Sequence, residues 1–225
     1  MAAADALRYD PSEHRSWLAD GTEVPHVTAV LAAVGVTTDF EALANQGGHI
    51  ARAIEAARAL GTAVHADCHS YDDNDLDWTT VDPRVLPYVE AWAQCRSSMS
   101  LTPVVDARER RVYYPTYNYT GIFDGIFVVG DVVADRRVMI DIKTGDPESS
   151  ACHLQTAAYV AAFEAEHNDP VKIRERWAVW LQPDRSCPYT ITNYSARPDA
   201  YLDFGRFAAC LTVYAEQPAR RRRIR

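Results

Sequence analysis

Two hydrophobic periods divide this chain. Up to about residue 100, apolar residues recur at steps of three and four; from Pro103 onward they come in short β-branched and aromatic runs. Ile50, Ile54, Ala57, Leu60, Val64 and Cys68 form the stripe of one amphipathic helix. Leu86, Val89, Trp92 and Ala93 form a second, behind Pro83 and Pro87. Ahead of both, residues 1–23 are polar, broken by Pro11 and Gly21, and read as a lead-in segment. Thr28 is placed to cap a short helix over 29–34 that Gly35 ends, and 45–48 reads as a loop. After Pro103 the runs 104–105, 112–114, 122–123, 126–129 and 138–142 read as strands. An alanine-rich helix over about 150–166 follows. Strands at 177–181 and 189–194 come next, with Pro183-Asp184 as a turn. Tyr201, Phe204, Phe207, Leu211 and Tyr214 mark a last helix. Helices, a strand cluster, one helix, two strands and one helix predict a mixed α/β core wrapped by helices.

Composition bounds this picture. The chain has 225 residues, 48% hydrophobic and 24% charged, the proportions of an ordinary globular protein with one generous domain. Its net charge is −8, and five of its basic residues are the arginines of the last six positions, so the body stands at −13. Such a body does not coat polyanions in general, and any nucleic-acid contact must come from local patches. No apolar run approaches the ~20 residues of a membrane span, and positions 1–10 lack the pattern of a signal peptide. Five cysteines at irregular spacing (68, 95, 152, 187, 210) suggest thiols in a reducing compartment, hence a cytoplasmic protein without a membrane partner.

Candidate chemistry gathers in the strand cluster. In an extended 138–143, Val138, Ile140 and Ile142 point one way and Met139, Asp141 and Lys143 the other. Asp141 and Lys143 then lie about 6.6 Å apart along one face, so both can reach a single phosphate. Seventeen residues before Asp141, Asp124 stands between Gly121 and Gly125 on another strand or its end. Two carboxylates converging within ~4 Å repel by about 4 kcal/mol at an effective dielectric of 20, so such a pair calls for a cation. Oxygen ligands select a hard one, Mg²⁺ or Mn²⁺. Taken alone, Asp-x-Lys is as well explained by a solvated sheet face.

The flanking residues add order. Gly61-Thr-Ala-Val-His65, Glu109 in a strand, Gly121-Ile-Phe-Asp124, Asp141-Ile-Lys-Thr-Gly145 and Gln155-Thr-Ala-Ala-Tyr159 follow one another. This series resembles the PD-(D/E)xK nuclease superfamily, in its RecB-like and lambda-type phage exonuclease branch. His14-Arg-Ser-Trp17 and Val24-Pro-His-Val-Thr28 resemble the N-terminal signature of phage-encoded members. The resemblance implies a restriction-endonuclease-like mixed central sheet flanked by helices. It implies one nuclease domain over 1–218, with 1–50 as an accessory segment; by its charge alone, the basic tail 219–225 reads as solvated and disordered, or as a grip on the DNA backbone. It implies a DNA exonuclease of phage recombination or end processing, in bacterial or phage-infected host cytoplasm. Asp124 and Asp141 would hold Mg²⁺ or Mn²⁺ with the Ile142 carbonyl, and His65 would complete or adjoin that site. Glu109 would join the catalytic set, and Lys143 would orient the attacking water. Gln155 and Tyr159 would position the substrate strand, and Arg108, Arg110 and Arg111 would contact phosphates of linear DNA. A single-strand annealing protein or recombinase as partner, and a homo-oligomer, are compatible with this branch. Relatives with an iron–sulfur cluster carry four ordered cysteines; Cys187 and Cys210 are too sparse, so no cluster is expected.

Plainer readings stand beside these. His65 and His69 are four apart, a zinc-ligand spacing, yet position 66 is alanine where a zinc protease needs glutamate. His69 therefore reads as solvated or capping. Glu109 reads equally well as the cross-strand partner of an arginine, and Gln155 and Tyr159 as helix surface. Trp177, Trp180, Tyr189 and Tyr194 read as core and sheet residues. Three functions remain: a metal-dependent exonuclease, a catalytically idle DNA-binding or assembly subunit on the same fold, and a zinc hydrolase using His65 and His69. Retention of Asp124, Asp141 and Lys143 together speaks against the second.

Overall fold

A computed structural model describes residues 4, 7–11, 15–38, 47–131, 135–145, 151–167 and 172–217. His14, the start of the helix expected from 150, and the arginine tail lie outside them. The lead-in segment contains structure that its polar sequence does not announce. Three short strands, β1 (Arg8–Asp10), β2 (Arg15–Trp17) and β3 (Glu23–Val24), pair antiparallel in that order. Val24 packs with Ala4, Leu7 and Tyr113, so this small sheet leans on the larger one.

Helix α1 (Val27–Ala33) starts before the expected Thr28 cap. The reason is tertiary. His26 bridges to Thr120, the Thr120 N–H donates to the Pro25 carbonyl, and Ser16 Oγ lies 3.0 Å from His26 Nε2. With the chain pinned at His26, the helix begins at the next residue; Gly35, at φ +76°, ends it.

α2 (Gly48–Asp72) and α3 (Leu86–Ser98) form where the two stripes predict; the α2 stripe meets the core only from Leu60 to Cys68, while Ile50 and Ala57 stay exposed. Asp72, almost wholly buried, ties them together: it accepts from Trp92 Nε1 at 3.0 Å and pairs with Arg96 at 2.7 Å. Next come β4 (Leu101–Tyr114), β5 (Tyr119–Val129), β6 (Arg137–Lys143), α4 (Cys152–Glu166), β7 (Glu175–Leu181), β8 (Tyr189–Asn193) and α5 (Asp203–Glu216). The runs at 104–105 and 112–114 belong to one long strand, and those at 122–123 and 126–129 to another. On β4 the ladder breaks after Pro103 and resumes at Arg108 within the same strand.

The five strands form one mixed sheet in chain order, β4-β5-β6-β7-β8. Only β6 and β7 are parallel, which is why a helix, α4, must carry the chain between them. Both faces are covered. Val138, Ile140 and Ile142 join a cluster with Val64, Trp92 and Cys95 of α2 and α3. Met139 joins the opposite cluster, with Leu31, Tyr159, Phe163 and Phe207 of α1, α4 and α5. The expected alternation along β6 holds, but its second face is not solvated: Asp141 is only 3% exposed.

Two irregularities shape the sheet's centre. β4 slips its register against β5 between Pro103 and Arg108, with Asp106 and Glu109 at positive φ. β5 changes parity once: Phe123 and Ile126, three apart, both face the α4 side, while Phe127 and Val129 face α2 and α3. Asp124 stands at that change. Trp177, Trp180 and Tyr194 are buried as expected. Among the described residues, no helix is long and apolar enough to cross a membrane.

Burial pushes the Asp72 carboxyl up to about 6, against the opposing pull of Arg96 and Trp92. The native state therefore keeps a proton that the unfolded chain releases near pH 4, and stability from this group falls as pH rises from 4 to 6. In urea unfolding across that range, the wild type should lose about 3 kcal/mol relative to Asp72→Asn and then level off. Stability curves that stay parallel from pH 4 to 7 would contradict this.

Candidate active site at the carboxyl end of β6

The site begins with strand register. Arg108 pairs with Gly125 and Arg110 with Phe123, so Glu109 stands opposite Asp124. On the other side, the β5–β6 ladder ends at Gly125 and Ile140, and the next step brings Asp124 level with Asp141. Three acidic residues thus occupy one row across three neighbouring strands. Where the backbone ladder stops, the Asp124 side chain continues it: its Oδ2 accepts the Ile142 N–H at 2.6 Å. Ile142, expected to contribute its carbonyl, is seen to enter through its N–H.

Basic side chains meet the carboxylates from two directions. Lys143, two residues beyond Asp141 on the same face, places Nζ 2.8 Å from Asp141 Oδ2. From α2, His65 Nδ1 lies 3.2 Å from Asp124 Oδ1. Gly61, one turn earlier on α2, lies against the segment after β6; a Cβ there would sit in ordinary contact, 3.6 Å from Thr144 Oγ1. The glycine-threonine motif and the Asp-x-Lys-Thr-Gly motif are therefore packed on each other. At the start of α4, Cys152 Sγ donates to Asp141 Oδ2 at 3.4 Å.

The electrostatics follow from this packing. Burial alone would raise Asp124, but His65, Lys143 and the Ile142 N–H outweigh it and hold the carboxyl at about 2. The Asp124 charge in turn raises His65, against the burial that would lower it. Burial raises Asp141; Lys143 pulls it down and neighbouring Asp124 pushes it up again. Burial would also lower Lys143, yet Asp141, Cys152 and Asp124 keep its ammonium charged well past its ordinary range.

One nitrogen of His65 and one carboxylate oxygen each of Glu109 and Asp124 lie within 4.8 Å of one another. Two carboxylates and one imidazole are a donor set suited to a hard divalent cation, with the imidazole favouring Mn²⁺ over Mg²⁺. Asp141 is not in this trio; its Oδ2 is engaged by Lys143 and Cys152.

The helix residues fall into place beside the row. Tyr159 is buried, its ring lying where a Cβ on Gly121 would have to be, and its hydroxyl accepts from Gln155 Nε2 at 3.1 Å. Burial and then the charge of Asp141 raise the Tyr159 phenol. The three arginines do not converge. Arg108 pairs with Asp73, the residue that caps the end of α2, beside the row. Arg110 turns to His167 Nε2 and lies over Phe163, about 18 Å along α4 from Gln155. Arg111 donates to the Ala4 carbonyl and covers Tyr9 in the small sheet. His69, read as solvated or capping, is mostly buried with Nε2 3.5 Å from Glu109 Oε1. Its four-residue offset from His65 was the available signal; nothing in the sequence singled out Cys152.

No protein-family model matches the chain, and no curated protein matches it. Among solved structures, the crystal structure of SSO0001 aligns at a TM-score of 0.31 and 17% identity. That alignment covers 60% of this chain and 59% of the other, and a likeness so slight carries no argument.

Asp124→Ala and Glu109→Ala should each weaken Mn²⁺ binding on the order of tenfold or more, since each removes one oxygen donor. Lys143→Ala should leave the affinity nearly unchanged. Calorimetric titration of the full chain checks this; equal losses in all three would mean that the trio is not where the ion sits.

Proposed function

We propose that this chain is a metal-dependent deoxyribonuclease of the PD-(D/E)xK type, on a restriction-endonuclease-like fold, degrading linear DNA from its ends. The observation that carries this reading is the row Glu109–Asp124–Asp141, with Lys143 Nζ 2.8 Å from Asp141 and His65 3.2 Å from Asp124. A solvated face would not hold Asp141 at 3% exposure against a charged lysine, because burying such a pair without a role is costly.

In this reading His65, Glu109 and Asp124 hold Mg²⁺ or Mn²⁺, with Asp141 adjoining. When bound, the ion supplies a nucleophile at neutral pH and stabilises the leaving oxygen. The chain's own residues do the rest. Lys143, fixed by Asp141, orients the attacking water and offsets charge that builds on the phosphoryl oxygens. Gln155 and the buried Tyr159 position the substrate strand. Arg108, although paired with Asp73, stands beside the row and is the predicted arginine best placed to meet a phosphate, whereas Arg110 and Arg111 lead away from it. No zinc finger or basic recognition helix is evident in the sequence, so contacts go to the backbone and cleavage is independent of sequence. The zinc reading is disfavoured by His69, which faces Glu109 rather than joining His65 in the trio.

Purified protein should degrade end-labelled linear duplex DNA with Mn²⁺ or Mg²⁺ and spare covalently closed circles. Lys143→Ala should lower turnover roughly 10²–10³-fold, as loss of one preorganised electrostatic group does. Binding without cleavage would instead indicate the idle subunit. Activity with Zn²⁺ alone would indicate the zinc hydrolase, and discrete fragments from a closed circle a site-specific endonuclease.

A further inference from the structure

α2 meets the sheet through three polar contacts spaced four residues apart. His65 faces Asp124 of β5, His69 faces Glu109 of β4, and Asp73 pairs with Arg108 of β4. Steps of four keep these residues on one helix face, and their partners pass from β5 onto the edge strand β4. The middle contact bears on the residue with the greatest freedom. Glu109 sits at φ +42° just past the register slip in β4, and its side chain is 53% exposed. A glutamate so open to solvent loses rotamer entropy when held in one direction, and its own strand does not confine it. His69, only 15% exposed, is far better fixed. Asp72, next to Asp73, anchors this end of α2 to Trp92 and Arg96 of α3. The imidazole is thus a rigid object against which a mobile carboxylate is set.

We propose that His69 is a positioning residue: it holds the Glu109 carboxylate toward His65 and Asp124, so that the three donors stay within reach of one cation. The inference rests on reading that trio as a metal site. His69 itself does not ligate; its contact is with the ligand.

The test uses the full chain, with Mn²⁺ binding measured by calorimetry and thermal unfolding measured without metal. His69→Ala should weaken Mn²⁺ binding about five- to tenfold while leaving the metal-free melting temperature near that of the wild type. His69→Gln, whose amide nitrogen reaches the place of Nε2, should restore most of the affinity. In a Glu109→Ala background His69→Ala should have no further effect, because its only route to the ion has been removed. Should His69→Ala not fold, His69→Asn, with an amide too short to reach, takes its place in the same comparison. Wild-type affinity in His69→Ala or His69→Asn overturns the positioning role and leaves the metal reading intact. A further loss in the Glu109→Ala background overturns it too, making His69 a ligand in its own right. A wild-type chain that binds no Mn²⁺ overturns both.

Discussion

Two carboxylates level with each other on neighbouring strands cannot both stay charged in a protein interior unless cations stand beside them. Asp124 and Asp141 impose that condition on everything around the end of β6. It fixes Lys143 on the Asp141 face of the strand, where Nζ is 2.8 Å away. It goes with the close approach of α2, which brings His65 to Asp124 and sets Gly61 against Thr144. It also accounts for the Asp124–Ile142 bond: a carboxylate that replaces a ladder carbonyl satisfies a backbone N–H and gains a fixed donor in return.

The architecture was legible where periodicity is local. Helices α2 and α3 and the alternation along β6 follow from side-chain spacing alone, though the first half of the α2 stripe, with Ile50 and Ala57 exposed, meets no core. The three strands before residue 25 were not legible. They are two or three residues long, polar on the outside, and exist because Val24, Tyr113 and the Pro25–Thr120 contact give them something to lie on. Joining two apolar runs into one β4 was likewise beyond the sequence. The connecting residues are charged and slip register, and only the partner strand shows that pairing resumes at Arg108.

The site divides along the same line. Asp141 and Lys143 are two apart on one strand, so their meeting was written in the sequence. That Glu109 stands opposite Asp124 depends on how many residues β4 loses in its slip, a quantity no local pattern contains. The arginines show the limit from the other side. Arg110 and Arg111 are adjacent, so in a strand they leave on opposite faces. One goes to His167 and the other to the small sheet, and their shared charge says nothing about a shared target.

Exposure along the acidic row is graded, and the grading separates two kinds of work. The side chain of Asp141 is 4% exposed, that of Asp124 14% and that of Glu109 53%, so the row opens outward from the sheet's centre to its edge strand. At the closed end, charge is held by fixed neighbours in a medium where electrostatic interactions are strong; removing Asp141 would leave Lys143 unpaired, a change that typically costs 3–5 kcal/mol of stability. At the open end solvent screens the carboxylate, and removing Glu109 costs the fold little. In the proposed reading, a ligand would meet the exposed end of the row first, at β4, with the more buried groups further in. If the substrate is the phosphodiester proposed above, fixed charge at the centre with exposure at the edge suits it, since the charge to be stabilised develops only after the polymer has bound.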